Sequence, residues 1–362
     1  MNDVNLLKQI LEETREAWDR PGTRAAVRKA FTDVLACGTA AMGWRVYASD
    51  QEQRRCYHRC KSRFCSSCGY RATLLWLEEQ AAALPDIPYS GVVLTMPREL
   101  WSIFKRNRHL FHDLAVLGAE VIKQWAKMKH GITPLILVVP HTFGGDLKFN
   151  THLHILVSTG GVRESSGCWI SDLSLNKAAI MRMWRYAVIG HLRRALAAGI
   201  LFTDLNSSEF TRLLSRSYGN KKRDYWIIHI TWIVSKTHFL KYAARYVRRP
   251  PIAKWRILSV ANGEVRYVAK DTKRGRAVVA NCALDHFVRL LAAHVPDRYR
   301  HGIRYFGVLA PRARGPICAV LFLRLGQRRQ PRPERICWQQ MLLKHFGVDP
   351  MIDSFGQKMY WV

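Results

Sequence analysis

Thr151-His152-Leu153-His154-Ile155-Leu156-Val157 reads as a buried strand with two histidines at i and i+2. Side chains alternate across a strand, so both imidazoles face the same way. Two neutral imidazoles side by side are half of a divalent-metal site. Left unpaired in an apolar strand they would be costly, which favours a ligand role over two core or surface histidines. A catalytic site needs a third ligand. His141, on the preceding strand across the Phe143–Asp146 turn, is the first candidate. Asp146 and His229 are weaker ones, and Asn150 is placed to orient an imidazole or to contact phosphate. Such a site suits Mg2+ or Mn2+ with open positions.

Further strands flank this one. Gly91–Met96 and Leu135–Val139 are short and apolar, and Trp226–Val234 is apolar on both faces and therefore expected at the sheet's centre. Helical patterns run from Glu99 to about Lys129 and over residues 176–199. Strands separated by long helices imply an α+β sheet domain over about residues 88–250. Residues 311–335 hold seven arginines, four prolines and one acid, the composition of an extended basic arm.

Behind the fourth strand comes Lys241-Tyr242-Ala243-Ala244-Arg245-Tyr246-Val247-Arg248-Arg249, a helix stopped by Pro250-Pro251. The i,i+4 spacing puts both phenols on one face. A free phenol, with a pKa of about 10, is a poor nucleophile at neutral pH, and a metal or cations nearby would favour the phenolate. Arg245, Arg248 and Arg249 suit bidentate phosphate contacts, with Lys241 beside them. An aromatic pair packed on the sheet is the plainer alternative.

Cys56-x3-Cys60-x4-Cys65-x2-Cys68 sets four thiols within thirteen residues, a spacing that suits tetrahedral zinc. His58 competes as a ligand and Cys37 is a more distant candidate. Four protein ligands leave no open position, so this metal is structural. Arg63 and other basic and aromatic residues around the cluster suit a nucleic-acid contact, or else are merely solvated.

Composition sets the partner class. Lys and Arg number 57 against 27 Asp and Glu in 362 residues, a formal charge of +30, which points to a polyanion and first to nucleic acid. The hydrophobic fraction of 48% excludes wholesale disorder. No run of about 18 apolar residues exists, so no spanning helix is expected. With no apolar signal core near the N-terminus, the expected location is the cytoplasm.

Taken together, these stretches resemble the transposases of rolling-circle insertion sequences, the two-tyrosine branch of the HUH endonuclease superfamily. The resemblance rests on Cys60–Gly69, His141-Thr142-Phe143-Gly144, Asn150–His154, Tyr242–Tyr246 with Arg249–Ala253, and Ile303–Gly307, in that order over roughly residues 35–310. It implies a ferredoxin-like HUH nuclease core, an antiparallel sheet with helices on one face, behind a small zinc-binding domain. The expected partition is 1–86 helical, zinc-binding and DNA-contacting, 87–255 nuclease core, and 256–362 basic C-terminal region. His152 and His154 become metal ligands, and Tyr242 and Tyr246 nucleophiles that cleave single-stranded DNA to a 5′-phosphotyrosine and a free 3′-hydroxyl. The implied partners are single-stranded DNA at element ends and target DNA. Since no G-x4-G-K-[ST] loop is present, a host helicase and replication proteins would assist. The family's additional Cys-x2-Cys pair is missing, so Cys56 is expected to stand in. Rival readings are a plasmid or phage replication initiator with the same chemistry, and a non-catalytic zinc-dependent DNA-binding protein.

Overall fold

The computed structural model describes residues 5–219, 226–247, 250–271, 275–312 and 316–362. Its central sheet is antiparallel throughout. The strands are β1 (Tyr89–Leu94), β2 (Ile132–Phe143), β3 (Phe149–Arg163), β4 (Ile228–Ile233) and β5 (Arg304–Gly307), in spatial order β5-β2-β3-β1-β4. The His-Leu-His strand, β3, lies in the middle. A two-residue strand, Trp169–Ile170, pairs with its far end.

Five helices bear on the site: α1 (Ser66–Ala83), α2 (Arg108–His130), α3 (Lys177–Ala197), α4 (Lys236–Ala243) and α5 (Leu284–His294). Strand alternation divides the sheet between them. Leu153, Ile155 and Val157 share one face with Ile136, Val138, Val92 and Leu94, and this face packs under α2 and α3. Each such side chain, fully buried, is worth about 1.5–3 kcal/mol. The α2 helix stops at Gly131, which takes the left-handed conformation a side chain would disfavour, φ 62°. Asn176 caps α3 by accepting from the Ala179 amide.

The α+β class and the antiparallel sheet thus match the sequence reading, and α2 and α3 share one face, where the expectation put every helix. The opposite face is covered too. Leu135, Leu137, Val139 and Leu156 pack there with Trp76 of α1 and with Phe239 and Ala243 of α4.

Three expectations need correction. The Trp226–Val234 segment is not central: β4 is an edge strand paired with β1, and Trp232 and Val234 are 61% and 57% exposed. Its second apolar face meets solvent, so apolarity on both faces does not demand two flanking strands. The core does not close at residue 255 either, because β5 joins the sheet beside β2. Nor do residues 256–362 form one basic unit. Ile257, Val265, Phe287 and Leu291 share a core with Leu7, Ile10, Trp18 and Phe31, while Tyr360–Trp361 pairs with the strand Trp44–Ala48. Within the expected basic arm, Pro316–Arg324 is a helix and residues 327–337 have no regular structure. Among the described residues, no helix is long and apolar enough to cross a membrane.

Gly118 sets how closely α2 approaches the His-Leu-His strand. A Cβ there would stand 2.5 Å from Leu153 Cδ1 and 3.2 Å from Ile155 Cδ1. Gly118→Val should therefore destabilise by about 1–3 kcal/mol through overpacking, read as a lower urea midpoint at unchanged slope. Gly190→Ala in α3 meets only the Arg194 side chain, at 3.4 Å. It should be neutral or stabilise by up to about 1 kcal/mol.

Candidate active site and metal centres

The β2–β3 register brings the histidines together. His141 lies opposite His152, and Val139 opposite His154. His141, His152 and His154 therefore project from the sheet's α4 face, as period-two alternation requires. A register shift follows at once between His141 and Phe143, an irregularity of the sort that re-aims side chains beside functional sites. The ring centroids of His154 lie 4.9 Å from both His141 and His152. The candidate ligand atoms of all three lie within 4.8 Å of one another.

Hydrogen bonds fix the tautomers. His152 Nδ1 is 2.9 Å from the Asn150 carbonyl, and a carbonyl only accepts, so Nδ1 carries the proton and Nε2 a lone pair. His141 Nε2 likewise donates to the Tyr246 carbonyl at 2.8 Å, leaving its Nδ1 as the lone-pair nitrogen. Metal-bound histidines are commonly oriented by such an outward N–H bond. His152 Nε2 and His154 Nε2 are 3.1 Å apart, and His154 Nδ1 and Asn150 Oδ1 are buried with no hydrogen-bond partner. Ligands cis on an octahedral ion at about 2.1 Å stand about 3.0 Å apart. The donor set thus fits a divalent cation.

Burial makes all three imidazoles poor bases. His141 is pushed down to about 3, by desolvation first and by its neighbour His152 second. His152 and His154 are also lowered, mainly by desolvation. All three are neutral at pH 7, the form that binds metal. Of the other candidate ligands, Asp146 accepts from the Lys148 amide in the turn, and His229 is exposed on β4, beyond β1.

The tyrosines come from the end of α4. Ser235 caps the helix by accepting from the His238 amide. The α-helix closes at Ala243, earlier than the sequence suggests, and the chain continues in turns in which the Tyr246 amide bonds the Ala243 carbonyl at 3.0 Å. This keeps both phenols over the sheet. The Tyr246 ring stacks on His154 at a centroid distance of 3.7 Å, and Tyr242 lies 5.1 Å from Tyr246. Gly91 makes room: a Cβ there would come within 3.0–3.1 Å of the Tyr242 ring and hydroxyl. Burial raises the Tyr242 pKa, with Tyr246 adding to the effect. Lys241 and Arg245 are exposed on this segment, Arg63 is half-buried between Cys60 and Cys65, and Arg248 and Arg249 lie outside the described residues.

The cysteine cluster differs from the expected one. Cys37, Cys60, Cys65 and Cys68 converge, and Cys56 and His58 stand outside. Sulfur–sulfur distances are 3.7 Å for Cys37–Cys68, Cys60–Cys68 and Cys37–Cys65. Four thiolates at about 2.3 Å from zinc would be about 3.8 Å apart. Cys56 is held instead in the strand Gln53–Tyr57, opposite Arg45. The hairpin Trp44–Tyr57 is an insertion between ligands. The Gly38 amide bonds the His58 carbonyl at 3.0 Å, closing its base and bringing Cys37 beside Cys60.

Comparison with known proteins bears on the same two regions. Residues 136–315 match the family model described as "Putative transposase", and residues 6–96 match "Transposase zinc-binding domain". A protein of Sinorhizobium fredii named "Putative transposase y4qJ" is 30% identical over 301 residues, 80% of this chain and 76% of the relative. The chain belongs to this transposase family. "Transposase for insertion sequence element IS801" of Pseudomonas savastanoi pv. phaseolicola is 28% identical over 342 residues, 91% of this chain and 81% of the relative. No solved structure matches. The transposase is thus a DNA-processing enzyme, and its cysteine cluster falls inside the zinc-binding match.

Cys37→Ser should lower the zinc content of the purified transposase and destabilise its N-terminal region, whereas Cys56→Ser should keep one zinc per chain. Elemental analysis with thermal melts compares the two. The histidines predict a pH effect. Their depressed pKa values mean that their contribution to stability is complete above the ordinary value of about 6.5 and is lost as pH falls towards the folded value. In metal-free buffer the urea midpoint should drop between about pH 7 and about pH 4.5, and His141→Asn should flatten that drop.

Proposed function

We propose that this transposase cuts single-stranded DNA by tyrosine attack assisted by a divalent metal, as a rolling-circle element requires. One observation carries the reading: the Tyr246 ring stacks at 3.7 Å on His154, within a trio of buried neutral imidazoles. His141, His152 and His154 hold Mg2+ or Mn2+, while Cys37, Cys60, Cys65 and Cys68 hold a structural zinc. When bound at the histidines, the cation polarises the scissile phosphate and offsets charge on the leaving oxygen.

Tyr246, the phenol nearer the trio, attacks phosphorus first. Its Oη–P bond forms, the P–O3′ bond breaks, and the phenol's proton is balanced by the one gained by the 3′-oxygen. The products are a 5′-phosphotyrosine and a free 3′-hydroxyl. Tyr242, about one helical turn back, serves the second strand. Lys241 and Arg245, with Arg248 and Arg249 beyond them in sequence, neutralise phosphates. The substrates are single-stranded element ends and target DNA, with a host helicase and replication proteins supplying unwinding and synthesis. The relatives' names favour element ends over a replication origin.

The test is incubation with Mn2+ and labelled single strands carrying the element's ends, followed by denaturing electrophoresis and mass spectrometry. A covalent adduct should map to Tyr246. Tyr246→Phe should lower first cleavage by orders of magnitude, and Tyr242→Phe should spare it. His154→Ala should abolish cleavage while leaving DNA binding within about threefold. Undiminished cleavage by the double tyrosine variant would refute the reading.

A further inference from the structure

A cleft of about 760 Å³ opens between α1, the segment from Tyr299 to Tyr305, and the irregular chain around Arg329 and Arg332. It is strongly basic. Arg63, Arg300, Arg329 and Arg332 line it, and Glu79, the one lining acid among the described residues, pairs with Arg332 at 3.2 Å. Arg63 donates to the Arg300 carbonyl at 2.9 Å, bracing the wall. Gln80, also in the lining, is only 2% exposed, yet its Oε1 has no hydrogen-bond partner. A buried acceptor left unpaired is costly, so it marks a place where a donor is missing. At the rim Tyr299 is 90% exposed and takes a left-handed backbone, φ 60°, uncommon for a bulky residue. The Arg298 guanidinium lies 5.1 Å over its ring and donates to its hydroxyl at 3.1 Å, while the rest of the ring is open to solvent.

The cleft also borders the candidate active site. Arg63 and Gly302 line both it and a smaller cavity, of about 100 Å³, whose other walls include His141 and Tyr246. We propose that this cleft is the channel for single-stranded DNA flanking the cleaved phosphodiester. The arginines follow the phosphates, Tyr299 stacks on a base, and Gln80 Oε1 accepts from a base edge. Phosphate-tracking cations with an aromatic platform are the usual means of holding single strands. Stacking on Tyr299 needs a base freed from its duplex neighbours, so the cleft favours a single strand. The strand's destination rests on the nuclease reading above, but the binding does not.

Binding is measured by fluorescence anisotropy on the full chain carrying Tyr242→Phe and Tyr246→Phe. The probes are a fluorescein-labelled single strand of about 20 nucleotides, its abasic counterpart, and a duplex. Arg300→Ala with Arg329→Ala should weaken binding to both single-stranded probes and reduce the log–log salt slope by about 1.4. Tyr299→Ala should weaken binding to the normal strand about fivefold or more, and Gln80→Leu should also weaken it. Neither should change affinity for the abasic strand. Arg182→Ala with Arg193→Ala removes the same charge from α3 and is the control. Thermal melts verify that each variant folds.

Equal losses in the control pair, unchanged binding in the cleft variants, or the same pattern of losses on duplex would each overturn the proposal. A parallel adduct assay, with both tyrosines intact, separates the two readings. Cleft-dependent binding without any adduct retains the channel and removes the nuclease reading. An adduct formed normally by all the cleft variants, with unchanged binding, removes the channel alone.

Discussion

Register between β2 and β3 is the constraint on which the site depends. His141 stands opposite His152, and His154 is one alternation further along. A slip of one residue would turn β3 over, sending its imidazoles into the packed core and its aliphatic residues towards the tyrosines. Leu153, Ile155 and Val157, buried under α2, hold that register because their loss from the core would be expensive. One strand therefore carries scaffold on one face and chemistry on the other. Gly118 and Gly91 work from opposite sides of this arrangement. The first lets α2 press on Leu153, and the second lets Tyr242 lie down on β1.

The second fixed point is the cysteine cluster, and its architecture is less local. Cys60, Cys65 and Cys68 come from a short stretch leading into α1, but Cys37 arrives from the end of the preceding helix after a whole hairpin has been inserted. That hairpin is completed by Tyr360 and Trp361, which pair with Ala48 and Tyr47. The N-terminal helices meanwhile share a core with the strands and helix of residues 257–295. Metal binding at the cluster would close the loop from Cys37 to Cys68 around that hairpin, while core packing and strand pairing bring in the more distant segments.

What could be read from sequence follows from the range of each interaction. His152 and His154, and Tyr242 and Tyr246, are fixed by strand and helix periodicity, so their shared orientation was legible without a fold. His141 was legible because a hairpin turn separates it from β3. Cys37 ranked too low because 23 positions, the interval from Cys37 to Cys60, give no periodic signal, and the nearby Cys56 offered a shorter spacing. Placing β4 failed for another reason. Apolar composition reports that a strand is compatible with burial, while its position in the sheet depends on partners that arrive from elsewhere. The entry of β5 from beyond residue 300, and the open acceptor of Gln80, are likewise tertiary facts with no local pattern.

The titration behaviour of the site links these pieces. Burial lowers the three histidines, so they are neutral at pH 7, while burial raises Tyr242, so that its phenol is neutral as well. The two sets are displaced away from neutrality in opposite directions. Under the proposed chemistry the resting enzyme is ready to accept a cation without releasing protons, but Tyr242 is not yet a nucleophile. Activation of that phenol must come from charge brought near it: the cation at the imidazoles and the guanidinium of Arg245, already a lowering influence on Tyr242. For Tyr242, which serves the second strand, coupling activation to assembly of metal and DNA restrains its attack until that strand is seated. A strongly basic chain that meets much non-cognate DNA needs such restraint, because its charge alone cannot distinguish one strand from another.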